Sequence, residues 1–120
     1  MLKTILIVDD SRFMRTFIRN KIDSSLFCIA GEASNGLEAV DQYSTLHPDL
    51  VIMDITMPLL SGIDALRRIM KLDPKAKVIM CSSLGSEQLV IEAIQFGAKE
   101  FVLKPFFDDL NEKLKSVLHY

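Results

Sequence analysis

Four short aliphatic runs, Ile5 to Val8, Leu50 to Met53, Val78 to Cys81 and Phe101 to Leu103, restrict the fold more than any other feature. They lack the polar alternation of a half-exposed strand, so they read as strands buried on both faces. A further strand is expected from Phe27 to Ala33. The intervening stretches carry apolar residues at helical spacing. The inward-facing positions are expected to be Phe13, Met14, Phe17, Ile18 and Ile22, then Leu37, Val40, Tyr43 and Leu46. Ile63, Leu66, Ile69 and Met70 follow, then Val90, Ala93 and Ile94, and finally Leu110, Leu114, Val117 and Leu118. Strand and helix thus alternate five times. The pattern predicts an α/β fold of (βα)5 type, a doubly wound three-layer sandwich on a five-stranded parallel sheet. Asp10 or Ser11 can cap the first helix, which is expected to reach about Ser25. His47-Pro48-Asp49 and Asp73-Pro74 stop two later helices, and Gly97 suits a left-handed helix end.

A chain of 120 residues that is 49% apolar buries one sizeable core and leaves no room for a second, so residues 1–120 are expected to form a single domain. The formal charge of −2 comes with no basic block, which argues against nucleic acid as a partner. Cys28 and Cys81 form no C-x-x-C pair, and each falls inside an expected strand, where a reduced thiol acts as a small apolar filler. That points to a cytoplasmic location. Only Ile5 to Val8 precede two aspartates, too little for a signal peptide, and no run approaches membrane-spanning length.

The chemistry lies where the strands end. Asp9 and Asp10, Asp54, Ser82 and Lys104 each close or follow an aliphatic run, and right-handed crossovers carry all those ends to one edge of the sheet, where open α/β folds bind ligands. Singly, each has an ordinary explanation: a helix cap, a turn former, a loop hydroxyl, a surface charge. Together they do not. Carboxylates about 4 Å apart repel by about 4 kcal/mol per pair at an effective dielectric near 20, so the cluster calls for a cation. An all-oxygen set suits Mg²⁺. With Mg²⁺ and the Lys104 ammonium beside it, one carboxylate can attack phosphorus. Asp54 is the best nucleophile, standing alone on what should be a central strand, whereas Asp9 and Asp10 are paired as metal ligands are. The acyl phosphate formed would find donors in Ser82 Oγ and Lys104.

These residues resemble the receiver domain of two-component response regulators, essentially from Met1 to Tyr120. The resemblance implies the flavodoxin-like strand order 2-1-3-4-5, Asp9 and Asp10 as Mg²⁺ carboxylates, and Asp54, in Met-Asp-Ile-Thr-Met-Pro, as phosphoacceptor. It further implies Thr56 as a metal ligand through its backbone carbonyl, Ser82 as switch hydroxyl, Lys104 as phosphate-binding lysine and Phe101 as aromatic switch, with a cis Lys104-Pro105 bond. Ser11-Arg-Phe-Met-Arg15, Arg19-Asn20 and Lys-Pro-Phe106 look most like the stand-alone chemotaxis regulators. Such a protein is a phosphoacceptor with weak self-phosphorylating and self-dephosphorylating chemistry rather than an enzyme. Its implied partners are a sensor histidine kinase of the CheA type, the flagellar motor switch, reached through the face of helix 4, strand 5 and helix 5, and a phosphatase. It is expected to act as a monomer. A receiver belonging to another regulator, such as the chemotaxis methylesterase, is the alternative.

Two departures from that pattern carry consequences. Phe101 replaces the tyrosine common at the switch and is expected to sit inward readily even without phosphate, because exposing its ring is costly. Thr56 and Leu84, two residues after Asp54 and Ser82, offer no carboxylate or amide to orient a hydrolytic water, so the phosphoryl group should be lost slowly. Leu89, Ile91 and Phe106 either form an apolar docking patch or complete the core. A flavodoxin-type phosphate loop is excluded by Asp9-Asp10, which would repel an anion. An aspartate-nucleophile phosphatase of the haloacid dehalogenase type needs a carboxylate where Thr56 stands.

Overall fold

The computed structural model describes residues 2–120. The strands are β1 (Lys3–Val8), β2 (Phe27–Ala33), β3 (Leu50–Asp54), β4 (Val78–Ser82) and β5 (Glu100–Leu103). Between and after them lie α1 (Arg12–Lys21), α2 (Gly36–Leu46), α3 (Gly62–Leu72), α4 (Glu87–Gln95) and α5 (Leu110–Leu118). The strands pair in parallel in the order β2-β1-β3-β4-β5. The expected doubly wound α/β sandwich is therefore the observed one. Its three inner strands are the continuous aliphatic runs because both of their faces are covered: Ile5 to Val8, Leu50 to Met53 and Val78 to Cys81 are fully buried.

Successive side chains on a strand point to opposite faces, which divides the core in two. Ile5, Ile7, Leu50, Ile52 and Ile79 pack against Ile18 and Ile22 from the α1 segment and Leu110, Leu114 and Leu118 of α5. Leu6, Val8, Val51, Met53 and Met80 pack against Ala39 and Tyr43 of α2, Leu66 and Ile69 of α3 and Ala93 of α4. Ser11, Asn35, Ser61 and Ser86 cap α1 to α4, each accepting a backbone N–H three residues on. Gly97, at φ 108°, takes the left-handed turn expected of it.

Local expectations fail in three places. First, α1 stops at Lys21 rather than near Ser25, because the next turn is taken by side-chain bonds. Asn111 of α5 donates to the Lys21 carbonyl and accepts from the Asp23 amide, while the Leu26 and Phe27 amides fold back onto Asp23 O. Second, Phe13, Leu37, Leu46 and Ile94 point outward instead of in. In α2 the buried stripe is Gly36, Ala39 and Tyr43, and the Tyr43 hydroxyl donates to Asp73 Oδ2 at 2.7 Å, fixing the rotation of the helix. Third, the two edge strands have incompletely covered faces: Cys28 of β2 is exposed, and β5, expected to be buried on both faces, leaves Leu103 39% exposed and Phe101 half-buried, whereas Cys81 is buried as expected. No helix among the described residues is long and apolar enough to cross a membrane.

Candidate functional site

At the carboxyl edge of the sheet, ligand oxygens of Asp9, Asp10 and Asp54 all lie within 4.8 Å of one another. β1 and β3 are adjacent, so Asp9 and Asp10, which follow Val8, come beside Asp54, which ends β3 after Met53. Asp9 is fully buried, Asp54 is 5% exposed and Asp10 opens to solvent. Lys104 reaches in from the end of β5. Its Nζ donates to Asp9 Oδ2 at 2.8 Å and stands 3.2 Å from Asp54 Oδ1. The Lys104-Pro105 bond is cis.

Burial is the largest influence on Asp54 and raises its pKa; the Asp9 charge adds to it, Lys104 opposes, and the net result is a carboxyl above its usual range. Burial works the other way on Lys104, but the Asp9 bond and the charges of Asp54 and Asp9 outweigh it, leaving the ammonium firmly protonated. Lys104 thus supplies one positive charge against three carboxylates. The donor set is all oxygen, one member faces solvent, and the charge is incompletely balanced. These residues fit a small hard divalent cation.

Ser82 ends β4, 2% exposed, with Oγ accepting the Leu84 amide at 3.0 Å, which leaves its proton to be donated elsewhere. It follows Cys81, the register partner of Asp54. Thr56 is exposed in the β3–α3 connection. The Phe101 ring is half-buried and packs against the core on the α2, α3 and α4 side, short of the fully outward position. Of the three residues weighed as a docking patch, Leu89 joins the core, whereas Ile91 and Phe106 are 45% and 63% exposed.

Two contributions escaped the sequence reading. Gly62 lets the start of α3 lie directly against β3: a Cβ there would stand 2.0 Å from the Asp54 carbonyl oxygen. Arg15 donates from Nη1 to the Asp9 backbone carbonyl at 2.6 Å and from Nε to Glu32 Oε1 at 2.8 Å. Its i,i+4 relation to Arg19, which also pairs with Glu32, was the available signal: two arginines on one helical stripe repel mildly, and one facing carboxylate relieves both.

The family model for the response regulator receiver domain matches residues 5–117. The chain belongs to that family. Among curated relatives of this receiver, the chemotaxis protein CheY of Thermotoga maritima is 55% identical over 104 residues, 87% of each chain. Among solved structures, the response regulator domain of Thermotoga maritima CheB superposes with a TM-score of 0.92 at 40% identity, covering 100% of this chain and 98% of that one. The CheX-CheY-BeF3-Mg²⁺ complex from Borrelia burgdorferi gives 0.91 at 41% identity, covering 96% and 88%. The receiver is therefore closely related to CheY chemotaxis regulators, which are signalling proteins rather than enzymes in the usual sense.

Proposed function

We propose that this protein is the phosphoacceptor switch of a chemotaxis two-component system, that its 120 residues form one receiver domain, and that Asp54 is the residue phosphorylated. The observation that carries the reading is the position of Asp54: buried at the end of a central strand, grouped with Asp9 and Asp10, and 3.2 Å from the Lys104 ammonium. Asp9, Asp10 and Asp54, with the Thr56 backbone carbonyl, would hold Mg²⁺, which when bound neutralises charge on the transferring phosphoryl oxygens.

The Asp54 carboxylate attacks the phosphorus of a phosphohistidine or of acetyl phosphate. A P–O bond to Asp54 forms as the bond to the leaving group breaks, and the leaving group keeps the electron pair; an imidazole then takes a proton from water. Lys104 is already within reach of Asp54 Oδ1 and can offer its ammonium to the new phosphoryl oxygens. Its release from the two carboxylates, together with a hydrogen bond from Ser82 Oγ, converts about 1.5 to 2 added charges into movement of the β4–α4 and β5 segments. Phe101, already half inward, follows that movement.

Similarity to CheY at 55% identity supports a chemotaxis regulator, and the Methanosarcina mazei methylesterase, 50% identical over 108 residues, belongs to chemotaxis as well. On this reading a CheA-like histidine kinase donates the phosphoryl group in the cytoplasm and a monomeric phosphoprotein acts on the flagellar motor switch. The Borrelia neighbour, held with CheX, BeF3 and Mg²⁺, supports a partner phosphatase. Incubation with acetyl phosphate and Mg²⁺ followed by intact-mass spectrometry tests the central step. A phosphate adduct is expected that Asp54→Ala abolishes; an adduct that survives that substitution places the chemistry elsewhere.

A further inference from the structure

Asp9 is held at every polar atom. Its amide donates to Ala33 O at 3.1 Å, Oδ1 accepts the Ser11 amide at 2.9 Å, Oδ2 accepts Lys104 Nζ at 2.8 Å, and its carbonyl accepts Arg15 Nη1 at 2.6 Å. Three of these come from the strand partner, the helix start and the site lysine. The fourth comes from a side chain that itself is anchored at a distance. Arg15 is only 15% exposed and its Nε is fixed by Glu32 on β2. Glu32 is held in turn by Arg19 through its carboxylate and by Gln42 Nε2 at 2.9 Å through its carbonyl. Side chains of α1 and α2, on opposite faces of the sheet, therefore converge on Glu32, which anchors the Arg15 guanidinium.

The Asp9 carbonyl belongs to the peptide unit joining Asp9 to Asp10. A planar guanidinium that is fixed through Nε by Glu32 and donates from Nη1 to that oxygen sets the orientation of the peptide plane, and with it the direction from which the solvent-facing Asp10 carboxylate leaves the chain. We infer that Arg15 is a positioning residue for the cation pocket: by holding the Asp9 carbonyl it fixes Asp10 toward Asp9 and Asp54. This rests on the reading of that pocket as a divalent-cation site. Outer partners of metal ligands act in this manner generally.

Charge alone predicts the opposite outcome, which makes the inference testable by sign. Removing a nearby cation strengthens Mg²⁺ binding if Arg15 acts only through its charge, and leaves it unchanged if Arg15 merely staples α1 to β2. Mg²⁺ affinity of the full chain is measured by isothermal titration calorimetry for wild type, Arg15→Met and Arg15→Lys, with circular dichroism confirming the folded state without metal. Arg15→Met is expected to bind Mg²⁺ about tenfold or more weakly, in the range seen for lost outer partners. Arg15→Lys keeps the charge but not the fork, and is expected to weaken binding in the same direction; it decides the question if Arg15→Met does not fold. Affinity equal to or above that of wild type in the folded variant overturns the inference. Absence of Mg²⁺ binding by the wild type overturns the pocket reading itself, and Asp10→Asn, expected to lose binding, tells the two failures apart.

Discussion

Lys104 Nζ donates to Asp9 Oδ2 at 2.8 Å across 95 positions of sequence, so the lysine is part of the carboxylate cluster and not only a neighbour waiting for phosphate. Its removal leaves three carboxylates, two of them buried, without the one ammonium that, among the described residues, pairs with them directly. Breaking a buried pair from one side costs about 3–5 kcal/mol. Lys104→Met should therefore lose about 3 kcal/mol of stability in neutral solution containing a chelator. Saturating Mg²⁺ should restore much of it. Urea unfolding in the two conditions checks this, and an equal loss with and without Mg²⁺ contradicts it.

Asp54 gives the opposite response. Burial and the Asp9 charge raise its pKa, so its ionised form opposes folding, and that penalty is absent only where the carboxyl is protonated in both states. The associated stability is present below the unfolded value, about 3.9, and is lost as pH rises through the higher native value. Asp54→Asn removes the penalty. In chelator it should raise the neutral-pH Tm by a few degrees, with the gain shrinking toward zero as the solution is acidified below about pH 4. A gain independent of pH rules out this cause.

The lifetime of the phosphoryl group is the third consequence. Neither Thr56 nor Leu84 carries an amide or carboxylate, and both are exposed, two residues after Asp54 and Ser82. Thr56→Asn should speed loss of phosphate from purified protein on the order of tenfold to a hundredfold, the scale on which orientation of a reactant matters. Wild-type decay as fast as that of the variant would mean that backbone groups suffice.

The lateral order β2-β1-β3-β4-β5 leaves no mark on periodicity and followed only from the family resemblance, whereas the inner strands were legible because strands buried on both faces must be continuously aliphatic, and Ile5–Val8, Leu50–Met53 and Val78–Cys81 are. The convergence of Asp9, Asp10, Asp54, Ser82 and Lys104 follows from that alone, since parallel strands deliver their ends to one edge. What escaped was set by contacts between distant segments. Asn111 ends α1 early, Asp73 fixes the roll of α2 through Tyr43, and the edge position of β2 exposes Cys28. Periodicity carries no record of such partners. Glycine is the extreme case, because a residue without a side chain leaves no apolar or polar signal of what presses against it.

Gly62 shows the cost of that silence. Ser61-Gly62 reads as a loop, yet the Gly62 amide donates to Ile55 O at 2.7 Å, and an added Cβ would lie 2.0 Å from the Asp54 carbonyl oxygen and 2.8 Å from Ile55 Cα. These neighbours are backbone atoms of the strand end that carries Asp54, so they cannot swing aside. At Gly85 the nearest atom to an added Cβ is Leu103 Cδ1, at 3.0 Å, the tip of a flexible and partly exposed side chain. Gly62→Ala should cost at least about 1–3 kcal/mol, as overpacking does, and slow phosphorylation by acetyl phosphate because Asp54 is displaced. Gly85→Ala should be nearly neutral in both. Urea unfolding and adduct formation measured side by side decide it: if the two alanine variants behave alike, the close approach at Gly62 is not what holds Asp54 in place.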